Sequence, residues 1–231
     1  GIVAVVAGPG TGKTGTLVER IAYLIEHEGA RPAEITAVTF TRQAADEVRC
    51  RLESRLGKKA VRGLTAGTFH AVSRQILGDA PLLGDAEAFE LARRAIAETG
   101  WKGTPRRLLQ EVSRVKNGLP GAGGALDDAC GHYCALARQS GRLDFDDLLA
   151  AALEAEEKRK PFTHLLVDEF QDVNDLQYRL VRKWAAGSRS LFVIGDPDQA
   201  IYRFRGAVGD SFARLQGDEP SAKVIRLGDN Y

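Results

Sequence analysis

A glycine-rich loop with a lysine and a threonine lies near the start of the chain, where residues 7–14 read AGPGTGKT. This spacing is typical of loops that bind nucleotide phosphates, because the glycines let backbone N–H groups converge on an anion. We expect Lys13 to neutralise the outer phosphates and the Thr14 hydroxyl to ligate Mg²⁺. The nucleotide-binding residues expected from this loop are Ala7, Gly8, Gly10, Thr11, Gly12, Lys13 and Thr14.

Two adjacent carboxylates, Asp168 and Glu169, directly follow the apolar run HLLV. Ligands collect at the carboxyl ends of parallel strands, so one carboxylate can hold Mg²⁺ while the other orients an attacking water. A solvated acidic loop is the alternative, which the phosphate-binding loop upstream disfavours. The next apolar run ends in GDPDQ, and the amide of Gln199 can hydrogen-bond a terminal phosphate without changing the charge of the site.

Aromatic residues alternate with arginines shortly after Gln199, in the segment YRFR at residues 202–205. This pattern suits a single-stranded nucleic acid, whose bases stack on rings while its phosphates pair with arginines. Core aromatics beside surface arginines are the alternative. Residues 42–62 hold seven basic and three acidic residues, which can form a phosphate-tracking surface or a solvated helix face.

Composition narrows the class of protein without fixing a function. The 231 residues carry a formal net charge of +1, so nucleic-acid binding has to come from local clusters. No apolar run approaches the roughly 18 residues of a membrane span. A GTP-binding protein is disfavoured because the chain has no Asn-Lys-x-Asp segment.

The three cysteines are too few for a disulfide framework, and they favour an intracellular, cytoplasmic protein. Two of them lie in CGHYC at residues 130–134. A closed zinc site needs four ligands, and on a helix His132 would point away from Cys130 and Cys134, so packed free thiols are favoured. The acidic residues of DFDD at 144–147 are expected to cap the start of a helix.

Strand-like runs alternate with amphipathic helices in the first 77 residues and again from residue 144, which predicts an α/β fold with a parallel sheet covered on both faces. Strands are expected at residues 2–6, 35–40, 64–69, 164–167, 190–195 and 223–227. Residues 78–143 show three helical patterns instead, at 85–99, 105–116 and 126–140. We therefore expect an ATPase domain formed by residues 1–77 and 144–231, interrupted by an all-helical insert at 78–143.

Seven ordered segments make the chain resemble the UvrD/Rep/PcrA-type superfamily 1 DNA helicases, in the part that forms their first RecA-like domain with its helical insert. The segments are AGPGTGKT, TFTRQAADEVRCRL, GTFH, LDFDDLL, VDEFQD, GDPDQAIYRFRGA and the final NY. The resemblance implies a P-loop NTPase that uses ATP and Mg²⁺ to move 3′ to 5′ along single-stranded DNA. It also implies that single-stranded DNA and junctions of single- and double-stranded DNA are its partners.

The resemblance further implies roles for individual residues. Those at the nucleotide are Lys13 and Thr14 on the phosphates and Mg²⁺, Asp168 on Mg²⁺, Glu169 as catalytic base, Gln199 as γ-phosphate sensor and Tyr231 against adenine. Those along the DNA are Phe40, Thr41, Arg42, Thr68, His70, Tyr202, Phe204 and Arg205.

The chain has no Met and begins inside a strand-like run, so we expect it to be a fragment of a longer protein. The resemblance implies that a second RecA-like domain, with catalytic arginines, follows Tyr231 and that the fragment alone is nearly inactive. Two other functions stay open: the motor of a helicase–nuclease related to RecB and AddA, and a nucleotide-gated DNA-binding module without turnover. The set Lys13, Asp168, Glu169 and Gln199 argues against the second.

Overall fold

The computed structural model describes residues 1–78, 80–155, 162–199 and 211–228. Its strands are β1 (Ile2–Ala7), β2 (Ile35–Thr39), β3 (Thr65–Thr68), β4 (His164–Val167), β5 (Ser190–Gly195) and β6 (Lys223–Leu227). They form one sheet in the order β3-β2-β4-β5-β1-β6, and every neighbouring pair is parallel. The predicted parallel α/β fold is confirmed.

The helices of the described residues are α1 (Lys13–Glu26), α2 (Arg42–Leu56), α3 (Phe69–Leu77), α4 (Asp85–Thr99), α5 (Pro105–Lys116), α6 (Ala125–Gln139), α7 (Phe145–Glu154), α8 (Asp175–Ala185) and α9 (Ser211–Asp218). Short 3₁₀ turns lie at Pro32–Glu34, Phe170–Asp172 and Pro197–Gln199. No helix in this part of the chain is long and apolar enough to span a membrane.

Some element ends differ from the predicted ones by one or two residues. Phe40 lies just beyond β2, and Phe69 is the first residue of α3 rather than the last of a strand. The reason at β3 is local, because the Thr68 hydroxyl accepts a hydrogen bond from the Ala71 N–H and so caps α3.

The sheet separates two apolar cores, and alternate residues of a strand enter different cores. In β4, Leu165 and Val167 pack in the core that contains Trp184, whereas Leu166 packs in the core that contains Leu17 of α1. Strands β2 and β4 are buried along their whole length, as expected for parallel strands with helices on both faces.

Helices α4, α5 and α6 form a third core of their own. Its buried residues include Ala92, Leu108 and Tyr133, one from each helix. The segments that lead into and out of these helices run side by side, with the Leu83 N–H donating to the Leu143 carbonyl at 2.8 Å. The separate core favours the expected three-part division of the chain, which stays a prediction.

Lys116, at the end of α5, ties this helical part to α7. Its Nζ lies 2.5 Å from Asp144 Oδ2 and 2.7 Å from Asp147 Oδ1, and all three side chains are largely buried. Burial opposes the charge on Lys116, but its hydrogen bonds to the two carboxylates outweigh burial and raise the pKa of Lys116. Asp144 also caps α7 by accepting the Asp147 N–H at 2.8 Å, so its predicted capping role is confirmed.

We expect Lys116→Met to lower the free energy of unfolding by about 3 kcal/mol, because it leaves Asp144 and Asp147 buried without their cation. Chemical denaturation followed by circular dichroism measures the change. The matched control is Lys102→Met, at an exposed lysine of the same helical part, which should change stability by less than about 0.5 kcal/mol. Equal effects of the two substitutions would contradict a stabilising role for the ion pairs.

Candidate functional site

The strand order brings the candidate nucleotide residues together. Strands β4, β5 and β1 are neighbours, and because they are parallel, the loops that follow them lie at one edge of the sheet. Ala7 is the buried last residue of β1, and Thr14 lies in the first turn of α1. Asp168 and Glu169 follow β4, and Gln199 ends the 3₁₀ turn after β5.

The loop between β1 and α1 turns through two glycines in left-handed conformation, Gly10 with φ 74° and Gly12 with φ 75°. The Thr11 hydroxyl closes the turn by donating to the Gly8 carbonyl at 2.7 Å. Helix α1 begins at Lys13 and has no acidic residue in its first turn, so its own side chains leave its positive end unneutralised. This geometry suits a phosphate at the start of α1.

Lys13 reaches across to the acidic loop after β4. Its Nζ lies 3.4 Å from Glu169 Oε2, and its side chain is 15% exposed. Asp168 is buried, and its Oδ1 accepts the Glu169 N–H at 2.9 Å. Burial, followed by the charge of Glu169, raises the pKa of Asp168 to about 6, although that hydrogen bond and Lys13 oppose the rise. A carboxylate pair that Lys13 neutralises only in part is suited to a further cation.

Gln171 and Asp196 connect the loops that follow β4 and β5. Gln171 Nε2 donates to Glu169 Oε2 at 2.8 Å, and Gln171 Oε1 accepts the Asp196 N–H at 2.8 Å. Asp196 Oδ2 in turn accepts a hydrogen bond from Gln199 Nε2 at 2.6 Å. Glu169 and Gln199 therefore belong to one hydrogen-bonded network.

A second candidate site lies at the ends of β2 and β3, along the same edge of the sheet. It is a cavity of about 1160 Å³ between these ends and helices α4, α5 and α7. Four of the residues expected to contact DNA line it: Phe40, Thr41, Thr68 and His70. The helices contribute Phe89, Arg106 and Phe145 to its lining.

Both threonines of this cavity also cap helices. Thr41 Oγ1 accepts the Ala44 N–H at 3.1 Å, and Thr68 Oγ1 accepts the Ala71 N–H at 3.3 Å. Since the caps hold the starts of α2 and α3 against the cavity, each threonine has a structural role there in addition to any contact with a ligand.

The His70 ring packs edge-on against the Phe145 ring, with 5.4 Å between ring centroids. Burial lowers the pKa of His70, although the nearby Asp146 carboxylate opposes the fall. The lowered pKa favours the uncharged imidazole, which can offer a ligand a hydrogen bond or a ring face.

Some predicted site residues do not join these two groups. Arg42 is the exposed first residue of α2 and is not part of the cavity lining. Tyr202, Phe204, Arg205 and Tyr231 lie outside the described residues.

Comparison with known proteins shows the family of the chain. The family described as "AAA domain" matches residues 1–205. The chain belongs to this family.

Curated relatives narrow the class further. The ATP-dependent DNA helicase Rep of Escherichia coli (strain K12) is 36% identical over 98% of this chain and 38% of its own length. DNA helicase II of the same strain is 33% identical over 98% of this chain and 36% of its own length. The ATP-dependent DNA helicase PcrA of Bacillus subtilis (strain 168) is 34% identical over 100% of this chain and 36% of its own length. The resemblance to the UvrD/Rep/PcrA-type family is confirmed, and the chain spans just over a third of the length of these relatives.

Sequence reasoning about this UvrD/Rep/PcrA-type chain did not assign Phe145, Phe89 or Gln171. Phe145 and Phe89 are 49% and 44% exposed in the cavity. The sequence does hold a signal for Phe145, since an apolar residue between Asp144 and Asp146 is not needed for a helix cap. Phe89 carries no such signal, because only the folded chain shows what it faces. Gln171 continues the acidic cluster in the segment VDEFQD, but the sequence gives it no role of its own.

Three basic residues of α2 have acidic partners on the surface. Arg49 pairs with Asp46 at 3.1 Å, and Arg51 pairs with Glu47 at 2.6 Å. Arg55 also pairs with acidic residues of α1. These pairs favour a solvated helix face over a phosphate-tracking surface.

The cysteines of α6 are packed thiols. Cys130 is buried, and burial raises the pKa of its thiol to about 11. His132 pairs with Glu98 instead of turning toward the thiols. Within the four described ranges, no three His, Cys, Asp or Glu side chains come together as a metal site would need.

We expect Gly195→Ala to lower the free energy of unfolding by about 1–3 kcal/mol, because an added Cβ would lie 2.2 Å from Gln171 Oε1 and 2.9 Å from the Phe170 nitrogen. The control is Gly131→Ala in α6, where an added Cβ would meet no atom within 4 Å apart from its chain neighbours and the backbone of its own helix. That change should stabilise the helix by about 0.5–1 kcal/mol. Denaturant midpoints compare the variants, and an unchanged midpoint for Gly195→Ala would contradict the close approach of the two loops.

Proposed function

We propose that this chain is the ATP-binding motor domain of a 3′ to 5′ DNA helicase, which couples ATP hydrolysis to movement along single-stranded DNA and to duplex unwinding. One observation carries the proposal. The residues expected at the nucleotide follow β1, β4 and β5, and those expected at DNA that the structure describes follow β2 and β3, so both groups lie along one edge of one sheet. The 3′ to 5′ direction rests on the resemblance of the seven sequence segments.

Phosphoryl transfer needs positioning and charge compensation more than covalent help from the protein. In the proposed reaction the loop glycines and the start of α1 hold the phosphates of ATP, and Lys13 moves from Glu169 toward the outer phosphates. Glu169, released from that pair, accepts a hydrogen bond from the attacking water. Gln199 donates to the γ-phosphate and so registers whether it is present.

The residues present fit Mg²⁺. Asp168 is a buried carboxylate whose pKa is raised, so a cation beside it offsets the cost of its charge. Mg²⁺ is usually held by one or two carboxylates together with substrate phosphates, which matches a site made of Asp168 and the Thr14 hydroxyl. When bound, Mg²⁺ neutralises charge on the phosphates that Lys13 cannot reach alone.

The cavity after β2 and β3 suits a single strand of nucleic acid. The exposed rings of Phe89 and Phe145 and the ring of His70 can stack on bases, and such stacking is sequence-tolerant because every base has a π-face. Arg106 supplies a positive charge at the same surface. Single-stranded DNA and its junctions with duplex are therefore the proposed partners, and a cytoplasmic location stays a prediction.

The proposal predicts different defects for two variants of the full-length protein. Lys13→Ala should abolish ATP turnover, because the outer phosphates lose their cation. Glu169→Gln should keep Mg·ATP binding nearly intact and slow hydrolysis by orders of magnitude, since the water loses its acceptor. Binding of a fluorescent ATP analogue and DNA-stimulated ATPase rates measure the two properties. An equal loss of binding in both variants would contradict the assigned roles, and absence of DNA-stimulated turnover in the parent would overturn the function.

A second prediction concerns the cavity. Phe145→Ala should weaken binding of a single-stranded oligonucleotide by about 1–3 kcal/mol if a base stacks on this ring. Tyr23→Ala is the matched control, because Tyr23 is about equally exposed but lies on α1, outside the cavity. Fluorescence anisotropy measures both affinities, and equal affinities for the two variants would remove the cavity from the DNA path.

A further inference from the structure

Gln171 is a buried polar residue, and both its amide nitrogen and its amide oxygen form hydrogen bonds. Its Nε2 donates to Glu169 Oε2 at 2.8 Å, and a second carboxylate oxygen, Asp172 Oδ2, lies 3.4 Å from the same nitrogen. Its Oε1 accepts the Asp196 N–H at 2.8 Å. Because Gln171 is only 5% exposed, water competes little for these hydrogen bonds.

Gly195 leaves room for the Gln171 side chain because it has no Cβ. Gly195 ends β5, and a Cβ at that position would lie 2.2 Å from Gln171 Oε1. The glycine therefore lets the Gln171 side chain reach the Asp196 N–H between the two loops. The loop after β4 is held from another direction as well, since the buried Ser211 hydroxyl donates to the Phe170 carbonyl at 2.7 Å.

Glu169 needs such support, because its backbone is in the left-handed region with φ 46°. Among the described residues it is the only non-glycine residue with a positive φ. A conformation of this kind persists when surrounding contacts fix it, and it aims the side chain in a direction that an ordinary strand end would not. Gln171 Nε2 contacts the carboxylate oxygen that also faces Lys13 Nζ.

The far end of the network reaches Gln199. Asp196 is 2% exposed, its Oδ1 accepts the Asp198 N–H at 3.1 Å, and its Oδ2 accepts Gln199 Nε2 at 2.6 Å. A continuous chain of contacts thus runs from Glu169 through Gln171 and Asp196 to Gln199. The two ends of this chain are the residues to which hydrolysis and γ-phosphate sensing are assigned.

We propose that Gln171 is a positioning residue for ATP hydrolysis. It fixes the Glu169 carboxylate relative to the loop that carries Gln199. This inference rests on the proposed function and gives a role to a residue that has none among the assigned site residues. Gln171 acts through Glu169, so it affects the rate of hydrolysis and not the affinity for nucleotide.

The test uses Gln171→Glu in the full-length protein. This substitution keeps the side-chain length and the oxygen that accepts the Asp196 N–H, but it replaces the donor to Glu169 by a second carboxylate oxygen. We expect kcat of DNA-stimulated ATPase to fall about 10- to 100-fold, as for a misplaced catalytic group, while the Kd for Mg·ATP changes less than about threefold. Gln139→Glu, at an exposed glutamine at the end of α6, is the control and should leave both quantities unchanged.

A double-mutant cycle separates positioning from a general structural role. Single-turnover hydrolysis is compared for Glu169→Gln with and without Gln171→Glu. If Gln171 acts through the Glu169 carboxylate, the second substitution causes no further loss once that carboxylate is gone. The inference would be overturned if the rate losses of the two substitutions multiplied in the double variant, or if Gln171→Glu left kcat unchanged. Either result would leave the proposed function standing.

A second variant serves as a control for misfolding. Gln171→Asn keeps a neutral amide on a stem one methylene shorter, and it should lower kcat in the same way by drawing the amide away from Glu169. If neither variant folds, Gln171 is a structural residue and the inference is wrong. If the parent shows no DNA-stimulated turnover, the proposed function fails and this inference fails with it.

Discussion

All six strands point the same way, and the position of every candidate site follows from this constraint. Parallel strands end at a common edge, so residues far apart in the chain meet there as soon as the strand order is fixed. The order β3-β2-β4-β5-β1-β6 divides that edge into two halves. The halves join where β2 pairs with β4, and the Asp168 N–H donates to the Val38 carbonyl at 2.9 Å across this junction. Phe40 and Thr41 follow Val38 by two and three residues, so the backbone that positions the acidic loop also positions the entry to the cavity.

At the half of the sheet edge formed by the ends of β4, β5 and β1, the chain's own cations balance the carboxylate charge only in part. Asp168 and Glu169 are adjacent carboxylates, and Lys13 forms an ion pair with Glu169. A buried carboxylate is costly without a compensating charge, which is why the pKa of Asp168 is raised. The carboxylate pair therefore keeps a negative charge that a bound cation can balance.

Local patterns predicted most of the fold because its elements have clear local signals. Thr104 and Pro105 mark the start of α5, and the predicted bounds of α4, α5, β4 and β5 agree with the structure. The glycine-rich loop and the acidic pair were also recognisable, since each has a fixed spacing. Phe89 could not be found in this way, because it faces residues that are distant in sequence. Gln171 was recognisable only as part of the acidic cluster, since its contact with Asp196 joins residues 25 positions apart. Thr68 shows the same limit, because the strand pattern around it does not reveal that its hydroxyl caps α3.

The cavity has one wall from the sheet and one from the helical part, so its width depends on how the two are joined. Lys116 and Asn117 lie at that joint: Lys116 contacts the start of α7, and Asn117 Nδ2 donates to Asp146 Oδ1 at 2.8 Å. Asn117 Oδ1 also accepts a hydrogen bond from Asn174 Nδ2 at 2.6 Å, and Asn174 caps α8 two residues after the loop that carries Glu169 ends. Directional hydrogen bonds fix an angle between elements more tightly than apolar contact does, since a shift of an ångström breaks them. The helical wall of the cavity and the start of α8, which follows the acidic loop, are therefore held together by one polar joint.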